Sequence, residues 1–167
     1  MQIVVVSDSH GLSSRLKELE MKYPHADLYL HCGDLEDDCR LFPKWIFVQG
    51  NNDYFVNEYD MPLERVVSLG KHRIFMAHSH KFPYYRLEEA LVSYGRSKNC
   101  DIVLFGHTHR SLVKNEQGVL LMNPGSIRWP RDGKAPSYGL ITIEEQGIQA
   151  QIIFLEDEQS QNSYNIY

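Results

Sequence analysis

Short apolar runs recur along the chain, separated by polar stretches of helical or turn-rich composition. Ile3 to Val6 is an unbroken β-branched run, the pattern of a strand covered on both faces. Leu16, Leu19 and Tyr23 share one face of a predicted helix that starts at a Ser13 or Ser14 cap and runs to about Lys22. Leu28–Leu30 and Trp45–Val48 read as the next two strands. Arg65–Leu69 and His72–Met76 flank Gly70-Lys71, which predicts a hairpin with a two-residue connection. Leu87, Ala90, Leu91 and Tyr94 give Tyr84–Lys98 a helical period, and Ile102–Phe105 is another fully apolar strand. From Val113 onward the chain turns β-rich, with strands over Val119–Met122, Gly139–Ile143 and Gly147–Leu155. The polar stretch Glu156–Tyr167 reads as a loosely docked tail. No repeat, linker or change in composition divides the chain, so residues 1–167 are expected to form one domain of mixed α and β structure.

Composition narrows the possibilities without choosing among them. Hydrophobic residues are 43% and charged residues 23% of 167, enough for an ordinary packed core. The formal net charge of −5 argues against stable binding of nucleic acid or anionic membrane through bulk positive charge. No apolar run approaches the roughly 20 residues that span a bilayer. The start, Met-Gln-Ile-Val-Val-Val, lacks the basic region and cleavage site of a signal peptide. Cys32, Cys39 and Cys100 are odd in number and lack zinc-ribbon spacing, so a cytoplasmic protein is expected.

The chemistry sits just after the apolar strands. Ser7-Asp8-Ser9-His10-Gly11 follows the first, His31-Cys32-Gly33-Asp34 the second and Gln49-Gly50-Asn51-Asn52-Asp53 the third. His78-Ser79-His80 and Gly106-His107-Thr108-His109 follow two others. Glycines beside these residues suggest sharp turns, and layered α/β folds bind ligands at the carboxyl ends of strands. Five such ends on one rim would gather about seven nitrogen and oxygen donors. A set without thiolates suits Mn²⁺, Fe, Co²⁺, Ni²⁺ or Zn²⁺. Seven donors exceed one tetrahedral site and fit two ions that share a carboxylate, a device for phosphate ester hydrolysis. Two divalent ions outweigh the carboxylates that would hold them, so the site would be locally positive, which reconciles an acidic protein with an anionic substrate. His25 and His72 fall outside the pattern and read as surface histidines. His31 reads as packed core or a support to the ligands, His80 as a support or a substrate contact, and Asp37-Asp38 as a solvated loop.

Asp8-Ser-His10, Gly33-Asp34, Gly50-Asn51-Asn52-Asp53, His78-Ser-His80 and Gly106-His107-Thr-His109 resemble the five blocks of the calcineurin-like metallophosphoesterases. Asn123-Pro124-Gly125-Ser126 and the short length point to the small YfcE-type phosphodiesterase branch. The resemblance covers roughly residues 1 to 145. It implies an α/β (α+β) fold, a four-layer α-β-β-α sandwich of two mixed sheets flanked by helices. It also implies two divalent ions, with Mn²⁺ the first expectation. Asp8, His10, Asp34 and His109 would hold one ion, and Asp34, Asn51, His78 and His107 the other. Asp34, Asn51 and His78 would serve catalysis together with a hydroxide activated between the ions. Two departures stand out. Ser79 replaces the glycine of the usual His-Gly-His, and Asn52 stands where larger enzymes carry a general-acid histidine. Asn52, Arg110 and Arg128 are candidate contacts to a small phosphate ester, and Arg131 and Lys134 lie close enough in sequence to join them; Trp129 and Tyr84 read either as pocket lining or as core or rim packing. A homodimer is the assembly to consider. The competing expectation is a non-catalytic metal-binding scaffold for protein contacts, similar to the retromer subunit of this fold. That subunit's resemblance lacks the first-block histidine, and His10 is present here, which favours catalysis.

Overall fold

The computed structural model describes residues 1–54, 57 and 59–155. The tail expected over Glu156–Tyr167 lies outside them. Ten strands and two helices follow in the order β1 (Gln2–Val6), α1 (Ser14–Lys22), β2 (Leu28–His31), β3 (Trp45–Phe47), β4 (Glu64–Leu69), β5 (His72–Ala77), α2 (Leu87–Ser97), β6 (Ile102–Phe105), β7 (Ser111–Glu116), β8 (Val119–Pro124), β9 (Ser137–Glu144) and β10 (Gly147–Phe154). They build two five-stranded sheets, ordered β10-β9-β1-β2-β3 and β4-β5-β6-β8-β7. Both are mixed: β1, β2 and β3 run parallel in one, β5, β6 and β8 in the other, with antiparallel strands beside them.

Side-chain alternation along each strand makes four layers. Val4 and Val6 of β1 face Leu16 and Leu19 of α1 in one core. Ile3 and Val5 face the other way and meet Ile74, Met76, Ile102 and Leu104 between the sheets. Phe75, Val103 and Leu121 turn outward to Leu87, Leu91 and Val92 of α2. The unbroken run Ile3–Val6 is therefore buried on both faces, as its composition predicts. The chain is a four-layer α-β-β-α sandwich.

Several elements differ from expectation. Ser13 sits at the start of α1 with helical φ and ψ, and its Oγ is buried with no hydrogen-bond partner, so it does not cap through its side chain. The helix expected over Tyr84–Lys98 begins only at Leu87, because Tyr84–Arg86 form a tighter turn and Arg86 leaves the helical region at φ −137°. β7 carried no strand expectation of its own; it pairs along its length with β8. His72 is buried, contrary to its reading as a surface residue, and its Nδ1 lies 2.5 Å from Asp101 Oδ2. The hairpin across Gly70-Lys71 forms with Leu69 opposite His72.

Candidate functional site

The parallel strands of both sheets send their carboxyl ends to one rim. β1 and β2 deliver Asp8, His10 and Asp34; the turn after β3 delivers Asn51 and Asn52; β5 and β6 deliver His78, His107 and His109. Backbone bonds lock the first two turns together: Asp8 N donates to Gly33 O, His10 N to Asp34 O and Gly11 N to Leu35 O. The turns are sharp, but glycine does not take all of them. Asp8, His10, Asp34, Ser79, His107 and His109 themselves hold φ between +45° and +84°. Strain of this kind persists only where surroundings over-determine it, and it gathers at functional sites. Ser79, where the resemblance leads one to expect glycine, adopts φ +84° and donates from Oγ to Gly106 O. Gly50 is needed for room instead, since a Cβ there would lie 2.1 Å from Asp34 Oδ1.

Asp8, His10, Asp34 and His109 are all buried, and one ligand atom from each lies within 4.8 Å of every other. His10 Nε2 and His109 Nε2 face each other at 3.2 Å. The far nitrogens set the proton positions. His109 Nδ1 donates to the Trp129 carbonyl at 2.6 Å, and His10 Nδ1 meets Glu36 Oε1 at 2.7 Å. Both Nε2 lone pairs therefore point into the same space, where His109 Nε2 is 3.1 Å from Asp8 Oδ1. That carboxylate oxygen is buried without a hydrogen bond of ordinary geometry. Two facing lone pairs beside a buried anionic oxygen without a hydrogen bond form a donor set that fits a divalent metal.

Electrostatics agrees. Burial alone would raise Asp8, but the imidazoles of His109 and His78 outweigh it and hold the carboxyl below its ordinary value. Asp34 is likewise lowered, against burial, by His78 and by Asn52. Burial opposes a proton on His78 and on His109, yet Asp34 and Asp8 raise the first, and Asp8 with the Trp129 carbonyl the second. The cluster favours positive charge at its centre.

Beside it, His78 donates from Nδ1 to Cys32 O and aims Nε2 at Asn51 Oδ1 (3.1 Å) and Asp34 Oδ2 (3.4 Å). The His107 ring stands 5.1 Å from that of His78, and His107 N donates to Asp8 Oδ2. Asn51, His78 and Asp34 are thus together, with His107 alongside. Asn52, a candidate substrate contact, turns inward: its backbone N and its Nδ2 donate to the two oxygens of Asp34 at 2.8 and 2.7 Å. Arg128 donates to the His10 carbonyl and lies over the Trp129 ring, which stacks on His10. Arg110 is exposed and points to a cavity of about 470 Å³ next to the fifth block, which Tyr84 also lines. A larger cavity of about 840 Å³ adjoins Asn52 and Asp53 and is lined by Glu36, Asp37, Asp38 and Asp60. His80 is half-buried, and burial, then His78, lowers it to about 4. His31 packs under the site, bonded to Ser9 Oγ and the Gly33 amide. Lys134 pairs with Asp132, and Arg131 is exposed.

Four supports had no expectation attached. The buried Asp53 accepts from Asp34 N, Glu36 N and Gly50 N, tying the second and third turns together. Glu36 and the Trp129 carbonyl orient His10 and His109. Ser126 Oγ donates to Asp8 O, which gives the Asn-Pro-Gly-Ser segment its place under the first turn. Only Asp53 and Ser126 lay inside a visible motif.

Comparison with known proteins points the same way. A family model described as a calcineurin-like phosphoesterase superfamily domain matches residues 1–146. A probable metallophosphoesterase of Bacillus subtilis, YsnB, is 32% identical over 86% of this chain and 85% of its own. The phosphodiesterase YfcE of Escherichia coli K12 is 30% identical over 65% of this chain and 62% of its own. Among solved structures, a predicted phosphoesterase from Streptococcus pneumoniae superposes with a TM-score of 0.84 at 29% identity, covering 93% of this chain and 90% of that one. Vps29 of Entamoeba histolytica, in complex with zinc, does so at 0.71 and 22% identity, over 92% and 98%, a likeness of fold.

Proposed function

The chain belongs to the calcineurin-like phosphoesterase superfamily, and from that premise we propose that it is a cytoplasmic, metal-dependent phosphodiesterase with a dinuclear centre. The observation that carries the reading is the convergence of His10 Nε2 and His109 Nε2 on the unsatisfied Asp8 Oδ1. In this reading Asp8, His10, Asp34 and His109 hold one ion. Asp34, Asn51, His78 and His107 hold the second, so Asp34 is shared. Two divalent ions, Mn²⁺ first among them, would polarise a phosphate ester and make water a nucleophile near neutral pH.

The chain's own groups do the rest. Asn52 fixes both Asp34 oxygens, and the Cys32 and Trp129 carbonyls orient His78 and His109. Such supports hold ligands at a set angle and raise their basicity. Arg128, anchored beside His10, supplies a cationic group for the phosphate of a small ester, and Arg110 one for the remainder of that ester. Water adds to phosphorus as the ester oxygen departs with a proton. Asn52 does not ionise, so it cannot furnish that proton, and esters with acidic leaving groups are favoured. Three free cysteines, none paired, accord with a reducing compartment, and no described helix is long and apolar enough to cross a membrane.

The scaffold reading has the fold likeness to Vps29 on its side. It leaves unexplained why donors of all five blocks, His10 included, converge. The deciding experiment is hydrolysis of bis(4-nitrophenyl) phosphate by chelated and Mn²⁺-reloaded protein. Chelation is expected to abolish turnover and Mn²⁺ to restore it; full turnover by verified metal-free protein overturns the mechanism. Asp34→Asn is expected to empty both metal positions, and metal analysis finding two ions per chain with unchanged turnover refutes the shared role.

A further inference from the structure

The cavity of about 470 Å³ lies between the turn before α2 and the start of β7. Thr108, between His107 and His109, forms part of its wall, so the cavity and the candidate metal site share the turn after β6. Its size is that of a small-molecule pocket. Phe105 and Leu112 line its floor, and two consecutive aromatic rings, Tyr84 and Tyr85, stand at its edge, 76% and 84% exposed.

The charges in this cavity are mostly spent. Arg86 pairs with Glu89 at 3.8 Å, and Glu88 shares Lys114 with Glu116, at 2.6 and 2.7 Å. Arg110 is the exception. Its amide donates to Thr108 Oγ1, but among the described residues no acceptor meets its guanidinium. The cavity therefore presents two exposed aromatic side chains and, in Arg110, one guanidinium with no carboxylate partner among the described residues. The larger cavity beside Asn52 carries Asp37, Asp38 and Asp60, and repels an anion.

We propose that the smaller cavity binds one ester group of the substrate, a planar aromatic group bearing a further negative charge that meets Arg110. Tyr84 and Tyr85 supply the stacking faces, and Arg110 selects for the charge. The inference rests on the phosphodiesterase reading and adds to it the class of ester. It differs from a preference for acidic leaving groups, because it is a matter of binding and holds for ligands that cannot be cleaved.

The test uses phosphonates, whose carbon–phosphorus bond is not hydrolysed. The full chain loaded with Mn²⁺ is titrated calorimetrically with methylphosphonate, phenylphosphonate and 4-carboxyphenylphosphonate. Stacking of one ring predicts that the phenyl compound binds about tenfold tighter than the methyl compound. An exposed guanidinium–carboxylate pair predicts a further gain of about threefold for the carboxyl group. In Y84A/Y85A the phenyl-to-methyl ratio should fall toward one. In Arg110→Gln the carboxyl gain alone should vanish, and Arg110→Lys should restore part of it. Equal affinity for the phenyl and methyl compounds overturns the proposal. So does a phenyl advantage that survives Y84A/Y85A, or a carboxyl gain that survives Arg110→Gln. Turnover of bis(4-nitrophenyl) phosphate is measured on the same preparations. Turnover without an aryl preference in binding overturns the pocket alone; an aryl preference without turnover under any metal overturns the hydrolase reading and supports the pocket.

Discussion

Asn52 reaches Asp34 with both a backbone and a side-chain N–H, and the two bonds end on different carboxylate oxygens. Its residue type matters through that grip. Asn52→Ala keeps the backbone bond and loses the other, and supports of this kind are worth roughly 10–100-fold in metal affinity or activity. A rise of that order in the Mn²⁺ concentration for half-maximal turnover is expected. Asn52→Asp should cost more, since it sets a second carboxylate against Asp34; equal effects of the two variants would contradict the argument. His31 gives a pH dependence of stability. Burial, only partly offset by Asp53 and Asp8, lowers its pKa to about 4, while an unfolded histidine titrates near ~6.5. As pH falls the unfolded chain takes the proton first. His31 thus contributes its full stability above about 6.5, and this is lost progressively as the pH falls to about 4. In urea unfolding of the chelated protein, His31→Asn should flatten the decline in midpoint across that window. An unchanged slope would show that His31 is charged in the native state.

At the scale of elements, Asp53 joins the turns after β2 and β3 by accepting three backbone N–H groups while itself 4% exposed. Asp53→Ala strands three donors. Buried unsatisfied groups cost about 1–3 kcal/mol each, so a loss of about 3 kcal/mol or more is expected in denaturant unfolding. A loss under about 1 kcal/mol would mean that water replaces the carboxylate. Gly95 lies inside α2, where alanine would ordinarily gain about 1 kcal/mol of helix propensity. Here its Cβ would stand 2.4 Å from Val103 Cγ2 of β6. Overpacking costs about 1–3 kcal/mol, which outweighs the gain. Gly95→Ala should therefore lower the thermal midpoint, and a rise would show that the helix can move off the sheet. The pair His72–Asp101 works between elements too. Burial opposes ionisation of Asp101, but the hydrogen bond from His72 and the Arg73 amide lower its pKa.

For the whole molecule, the donors come from both sheets: Asp8, His10 and Asp34 from one, His78, His107 and His109 from the other. An ion held among them ties the two layers together. A ligand at a hundred times its Kd adds about 2.7 kcal/mol to stability. Saturating Mn²⁺ should raise the midpoint of the entire cooperative transition, and Asp34→Asn should abolish the rise; a rise confined to a local transition would contradict the bridging of the sheets. The strands flanking the site, the two-sided burial of Ile3–Val6 and the five polar blocks at strand ends were all legible along the chain. These are set by local alternation and by residue type, and neither depends on distant contacts. The rest came from contacts between residues far apart in the chain. Glu36 meets His10 from 26 positions away, and a backbone carbonyl at Trp129 orients His109. Carbonyls are the same at every residue, so no sequence pattern marks that one. His72 is buried because Asp101, 29 positions on, offers it a partner. The backbone strain at Asp8, Asp34 and Ser79 is likewise imposed from outside, by turns that bond to one another across the rim rather than along the chain.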